Sequence, residues 1–289
     1  MIKVPGPLAV VCHDAGATNL ILSWLMSGFG LEVRAFMRGP AADLWRIAFP
    51  MAPLCNTLED ALKGAQTLMS GSGWASLLEH EARQRANANG LFSVAVLDHW
   101  INYTERFEFD GLVQLPNEIW VADSYALELA QKAFPSLLIR QMDNLYLKTQ
   151  VAKVGEPPGN GTVLVLMEPV RDTWGREREG EFQALDYLFE NVDRLWPRGV
   201  TKVLLRPHPS EFANKYQAWL NRYSKVYLDS SIDVATAISR ADFVVGVESF
   251  ALTIALEAGR PVYSSLPPWA PDLRLPHVGI KQIRYLSKL

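Results

Sequence analysis

Along the chain, short apolar runs alternate with stretches whose apolar positions recur every three to four residues. Runs at Leu8–Cys12, Leu31–Met37, Ala65–Met69, Ser93–Leu97, Glu118–Val121 and Leu137–Gln141 predict strands. Helical spacing falls between them, at Thr18–Ser27, Ala41–Phe49, Thr57–Lys63, Trp74–Ala88 and Tyr125–Phe134. Thr57 is placed to cap a helix start, and Gly90 and Pro135 are placed to stop helices. The stretch Val154-Gly155-Glu156-Pro157-Pro158-Gly159-Asn160-Gly161 then breaks both kinds of pattern. The alternation restarts after it. Strands are predicted at Thr162–Met167, Lys202–Leu205, Val226–Leu228, Phe243–Val247 and Pro261–Ser264. Helices are predicted at Gly180–Leu195, Glu211–Asn221, Ile232–Ser239 and Phe250–Ala258, with a proline-rich tail from Leu266 that ends in a helix.

Two successive βα arrays predict an α/β protein of two Rossmann-like, doubly wound, mostly parallel sheets. The predicted domains are 1–153 and 154–289, facing each other across a cleft. The length of 289 residues suits two domains. Apolar residues make up 49% of the chain and charged residues 20%, which excludes extensive disorder. The charge is near balance, 28 basic against 31 acidic residues, so a protein that coats nucleic acid is not expected. Cys12 and Cys55 are the two cysteines and form no CxxC, which excludes a zinc framework or a disulfide scaffold. A reducing cytoplasm is the simplest compartment.

The start Met1-Ile2-Lys3-Val4-Pro5-Gly6-Pro7 has no signal-peptide pattern. The greasiest stretches, Leu8–Phe29 and Phe243–Leu266, carry His13 and Asp14 in one and Glu248, Glu257 and Arg260 in the other. A charged side chain at mid-bilayer depth costs about 2.5–3.5 kcal/mol, so neither is expected to span a membrane. Contact with the inner face of a membrane stays open.

Ligands of doubly wound sheets bind past the carboxyl ends of the strands. The residues there are therefore the candidates. After the first strand stand His13, Asp14 and Gly16, either as a base for a sugar hydroxyl or as a capped helix start. Ser70-Gly71-Ser72-Gly73-Trp74 offers two hydroxyls and two glycines to a polar ligand, or simply a flexible turn; the P-loop spacing and its lysine are absent. Asp98-His99-Trp100, with Asn102, Tyr103 and Arg106 beyond, suits a sugar or a buried aromatic cluster. Asp98 and His99 are adjacent, so extended backbone sends them to opposite sides.

In the second half the first strand leads to Glu168-Pro169-Val170-Arg171-Asp172. The next leads to Arg206-Pro207-His208-Pro209-Ser210-Glu211, where two prolines stiffen a loop that offers Arg206, His208 and Ser210 to a phosphate. Val247-Glu248-Ser249-Phe250 precedes a helix whose start could meet an anion. Glu248 would repel that anion unless it turns toward a ribose hydroxyl.

With these residues in view, the second half resembles the donor domain of GT-B glycosyltransferases. It is most similar to bacterial capsule and lipopolysaccharide enzymes with an HP motif and a serine motif, the sialyltransferase and polysialyltransferase-like families. His208-Pro209, preceded by Arg206, matches the HP motif, and the run Ala241–Pro261 with Ser249 matches the serine motif. The resemblance implies that both contact the phosphate of a CMP-type donor, and that an acidic base lies in the first domain. Asp14 with Gly16 matches that acidic motif in part. Many nucleotide-sugar enzymes of this fold carry a ribose-binding Glu five residues before the Gly of a final Gly-x-Pro. Here Ile254 stands there, before Gly259-Arg260-Pro261, which turns expectation from UDP- or ADP-sugars toward a CMP-sugar or phosphoribosyl pyrophosphate.

The expected function is sugar transfer from such a donor to a carbohydrate hydroxyl in surface-polysaccharide synthesis, of the O-antigen or capsule kind. Arg206, His208, Ser210, Glu248, Ser249 and Phe250 would bind the donor. Asp14 would be the base, with His13 or Asp98 as substitutes. Ser70, Ser72, His99, Tyr103 and Arg171 would line an acceptor or secondary ligand site. No metal is required, although a donor with a free pyrophosphate would bring magnesium. The partners are a sugar-phosphate donor and a glycan acceptor, with no nucleic acid. Two competitors are a nucleotide-sugar 2-epimerase-type isomerase, using Asp14, Asp98, Glu168 and Glu248, and a non-catalytic sugar-binding protein, which nine tryptophans would suit.

Overall fold

The computed structural model describes residues 4–28, 30–73, 76–196, 199–212 and 214–286. Met1–Lys3, Phe29 and Trp74, which figure in the sequence readings, lie outside them. The chain forms two compact units, Met1–Tyr146 and Leu147–Leu289.

Unit 1 begins with β1 (Leu8–Cys12), α1 (Ala15–Met26), β2 (Val33–Met37), α2 (Gly39–Ala48) and α3 (Leu58–Leu62). It continues through β3 (Thr67–Ser70), α4 (Leu78–Ala88), β4 (Phe92–Leu97) and a small hairpin of β5 (Glu108–Phe109) and β6 (Leu112–Val113). Then come β7 (Glu118–Val121), α5 (Ser124–Ala133), β8 (Leu138–Gln141) and α6 (Leu145–Val154), which runs into the second unit. The sheet is parallel in the order β2-β1-β3-β4-β7-β8. All five residues of β1 are buried. Leu8, Val10 and Cys12 pack into one core, while Ala9 and Val11 pack into another on the opposite face. A strand covered on both faces needs apolar residues at every position, which is why β1 reads as an unbroken greasy run.

Unit 2 repeats the plan. Its strands are β9 (Thr162–Leu166), β10 (Lys202–Arg206), β11 (Val226–Leu228), β12 (Phe243–Gly246), β13 (Val262–Ser264) and β14 (Ile280–Gln282), in the parallel order β11-β10-β9-β12-β13-β14. Its helices are α7 (Gly180–Glu190), α8 (Val192–Leu195), α9 (Gln217–Leu220), α10 (Val234–Ser239) and α11 (Ala251–Glu257). In each sheet the chain steps outward from the first strand and then returns to its other side. The order therefore reverses between β1 and β3 in unit 1, and between β9 and β12 in unit 2. Among the described residues no helix is long and apolar enough to cross a membrane.

Several predicted elements change. The helix expected over Glu211–Asn221 shrinks to α9, because the Glu211 carboxylate turns back to accept the His208 N–H at 2.9 Å and stabilises a loop instead. The helix expected over Gly180–Leu195 splits into α7 and α8 at Asn191, whose side chain bonds the Tyr187 carbonyl at 2.7 Å. The proline-rich tail holds β14 and ends in a single 3₁₀ turn at Ile283–Tyr285. The hairpin and α6 have no counterpart in the sequence reading.

The Gly/Pro stretch before β9 is fastened from one side. Asp242, largely buried, accepts the backbone N–H groups of Gly159 (2.6 Å), Gly161 (2.6 Å) and Thr162 (3.2 Å). Removing that carboxylate strands three donors. Asp242→Ala is expected to lower unfolding stability by about 3 kcal/mol, read as a reduced denaturant midpoint with an unchanged slope.

Candidate functional site

In unit 1 the reversal between β1 and β3 brings His13, Asp14 and the Gly71–Gly73 turn together. Asp14 stands at the N-cap of α1 but makes no capping bond with its side chain. Its Oδ1 lies 2.7 Å from His13 Nδ1 instead. Thr18 donates its hydroxyl to the Asp14 carbonyl at 2.6 Å, which fixes the turn. The other Asp14 oxygen faces Gly73: a Cβ added there would lie 2.0 Å from Oδ2. His13 Nε2 faces Gly39 in the same way, 2.6 Å from where a Cβ would be. The two side chains are about three-quarters buried, so the pair is held but reachable.

A buried carboxylate supports the pair from below. Glu79 accepts the His13 backbone N–H at 2.7 Å. Burial pushes its carboxyl above the usual range, and the charge of Asp14 adds to this, against the His13 N–H bond and Arg83. Arg83, also buried, donates to the carbonyls of Gly71 (3.0 Å), Arg106 (3.3 Å) and Gln114 (3.1 Å) and to Ser70 Oγ (3.3 Å). Desolvation lowers the Arg83 guanidinium to about 10. The Gly71–Gly73 turn is thus braced rather than flexible. Glu79 and Arg83 were not singled out from sequence. Their i,i+4 spacing on α4 was the available signal.

The remaining unit 1 candidates are buried or half-buried. Ser70 and Ser72 are buried, and Ser72 Oγ donates to the Val96 carbonyl at 2.8 Å. Tyr103 is buried, with its phenol pushed upward by desolvation. His99 packs against Trp100 at 5.3 Å between ring centroids, and Trp100 donates to Asp123 at 2.9 Å. Asp98 meets Arg106 Nη1 at 3.3 Å, and its other oxygen lies against Gly16 in the first turn of α1, 1.7 Å from an added Cβ. Asp98 is thus held between Arg106 and the first turn of α1.

In unit 2 the reversal between β9 and β12 joins Glu168 to the Glu248 turn. Glu168 Oε1 accepts the Glu248 N–H at 2.6 Å. Burial raises the Glu168 carboxyl to about 7, the neighbouring Glu248 charge acts in the same sense, and the N–H bond and Arg274 act against it. Glu248 itself is held by the Arg274 guanidinium and by the Arg274 N–H at 3.3 Å. The Ser249 hydroxyl oxygen is buried and has no hydrogen-bond partner among the described residues. Phe250 opens α11, which has seven residues and so carries only a small helix dipole. Arg171 is exposed on the loop after β9.

Of the three expected phosphate ligands on the loop after β10, Arg206 is set apart from His208 and Ser210. Arg206 turns inward: Nη1 meets the fully buried Asp229 carboxylate at 2.6 Å and the Ser231 carbonyl at 3.0 Å. Its first role is to neutralise Asp229. His208 is exposed. Its Nδ1 accepts the Ser210 N–H at 3.2 Å and lies 2.8 Å from Ser210 Oγ. An accepting Nδ1 leaves the proton of the neutral ring on Nε2, which is then a donor. Desolvation lowers the His208 ring below its ordinary value, against the pull of Glu211, which favours that neutral form. Burial acts to raise the Glu211 carboxyl, but bonds from Lys215, Tyr216 and the His208 N–H outweigh it and hold it below the usual range.

No known protein family matches the chain by sequence, and no curated protein does. Solved structures are similar in fold. A protein assigned as a UDP-N-acetylglucosamine 2-epimerase from Listeria monocytogenes aligns over 88% of this chain and 78% of its own, with a TM-score of 0.58 at 13% identity. The glycotransferase of kitacinnamycin aligns over 95% of this chain and 83% of its own, with a TM-score of 0.52 at 13% identity. The paired doubly wound units are the GT-B fold. At such low identity the likeness speaks for fold alone. The two similar structures bear an epimerase name and a transferase name, so chemistry has to be argued from side chains.

Two outcomes test this geometry. In Gly73→Ala the new methyl displaces the Asp14 carboxylate from His13, and the expected result is a changed His13 ring chemical shift by NMR with about 1–2 kcal/mol of stability lost. Glu168 titrates higher in the folded chain than in the unfolded one, so its contribution is favourable below about pH 4.5 and is lost as pH rises through about 7. Glu168→Gln keeps the acceptor oxygen and removes that loss. The variant should gain on the parent by up to about 3 kcal/mol between pH 5 and pH 8 in paired denaturation curves.

Proposed function

We propose that the chain transfers a sugar from a phosphate-activated donor onto a carbohydrate hydroxyl. His208 is the observation that carries the reading. Two prolines and the Glu211 carboxylate hold its loop, Ser210 occupies Nδ1, and Nε2–H is left as a preoriented donor beyond the end of β10. That is the group needed where negative charge grows on a leaving phosphate. The buried, unpartnered Ser249 hydroxyl past β12 supplies a second donor. Arg206 contributes through the loop it braces.

In the proposed reaction the acceptor oxygen attacks the anomeric carbon and gives its proton to the His13–Asp14 pair. The bond between that carbon and the phosphate oxygen breaks, and its electrons leave on the phosphate, where His208 Nε2–H stabilises them. Asp14 is the base, with His13 Nδ1 orienting it. A CMP-sugar or phosphoribosyl pyrophosphate is the proposed donor, and a bacterial surface polysaccharide the proposed setting.

A second reading has its own support. Burial raises the Glu168 carboxyl to about 7, and it accepts the Glu248 N–H, an arrangement that suits an isomerase acting on the donor alone.

Mass spectrometry after incubation with CMP-sialic acid, CMP-Kdo, phosphoribosyl pyrophosphate and UDP-N-acetylglucosamine, each with and without glycan acceptors, separates the two. Acceptor-dependent mass gain is the expected result, and donor conversion without acceptor would establish the isomerase instead. His208→Ala should lower kcat/KM by about 100-fold or more. Asp14→Asn should lower kcat by about 100-fold with donor affinity kept, and full turnover in that variant would remove the base assignment.

A further inference from the structure

Unit 2 carries a groove of about 480 Å³ along the outer side of α7, within the size range of small-molecule sites, about 300–1,000 Å³. None of the groups assigned above lies in it. Its floor is built rather than incidental. Gln183, buried on α7, accepts the Trp269 indole N–H at 2.7 Å and donates to the carbonyls of Thr173 and Arg178, each at 2.6 Å. One amide thus ties together the helix, the loop after β9 and the segment after β13. Trp269 keeps 39% of its surface exposed. Its ring is fixed by the Arg176 guanidinium at 3.7 Å from the centroid and by Tyr187, edge-on at 6.0 Å.

The charges around the indole narrow the choice of ligand. Asp186 is satisfied within the protein by Arg178 and by Trp219 Nε1 at 2.9 Å. Glu177 and Glu190 line the same groove and add acceptors, while Arg176 adds donors. Three carboxylates against two guanidiniums oppose an anionic ligand. Arg176 lies over the indole, so the part of Trp269 left exposed, bordered by Glu177 and Glu190, fits a molecule with an apolar C–H face and a rim of hydroxyls. Carboxylates take hydroxyl hydrogens in charge-assisted bonds, and the ring face stacks on indole.

We propose that this groove binds a neutral oligosaccharide, apart from the residues assigned to donor and base. The proposal does not rest on the transfer reading. A sugar-binding groove would serve a transferase, an isomerase or a lectin equally, and its test uses no donor.

The test is saturation-transfer NMR and titration calorimetry on the full chain with maltotriose, cellotriose and chitotriose, and with trigalacturonic acid as the anionic control. At least one neutral trisaccharide should bind with a dissociation constant of about 1 mM or tighter, and the acid should bind at least about tenfold more weakly. Trp269→Ala and Glu190→Gln should each weaken the neutral ligand by about fivefold or more. Glu190→Gln preserves the fold-holding bonds, so it decides the matter if Trp269→Ala does not fold. Absence of binding by all three neutral sugars, unchanged binding in Glu190→Gln, or preference for the acid would each overturn the proposal. His208→Ala should bind the trisaccharide as the parent does, and a loss there would place the sugar at the donor residues instead.

Discussion

A parallel strand covered on both faces has no side chain to spare for chemistry. In β1 and β9 every residue is packed, so polar groups can appear only where the strands end. Two neighbouring strand ends are left uncrowded where the connections part in opposite directions. The fold therefore fixes one such place in each unit, between β1 and β3 and between β9 and β12. His13, Asp14 and the Gly71–Gly73 turn occupy the first, Glu168, Glu248 and Ser249 the second.

Being placed at a strand end does not make a polar group available. Hydrogen-bond accounting decides that. Ser72 gives its hydroxyl to a backbone carbonyl, Asp98 faces Arg106 and the start of α1, and Arg206 neutralises a buried Asp229. A buried charge without a partner costs several kcal/mol, so these groups serve the fold first. His208 and Asp14 differ, because each is oriented through one atom and presents another. Ser210 fixes His208 through Nδ1, and His13 engages Asp14 through Oδ1.

The carboxylates show the same logic in their protonation. Glu79 and Glu168 are both raised by burial, yet each accepts a backbone N–H that keeps it in place. Glu211 has three donors and is pulled the other way. Identical side chains are thereby given different proton affinities by the number of donors around them.

Much of this was written in the chain. Unbroken apolar runs and the Gly/Pro stretch at 154–161 gave the two βα arrays, because burial on both faces and backbone strain act locally in sequence. The strand-end rule also drew attention to His13, Asp14 and His208. Other features depended on residues far apart. Nothing near Arg206 announces Asp229, nothing near His13 announces Glu79, and nothing near Gln183 announces Trp269. Glu211 read as part of a helix because helix periodicity carries no record of a side chain that bends back to its own loop. Local spacing determines which elements form. Which polar groups are left over to meet a ligand depends on pairings across many tens of residues, and only the packed structure sets those.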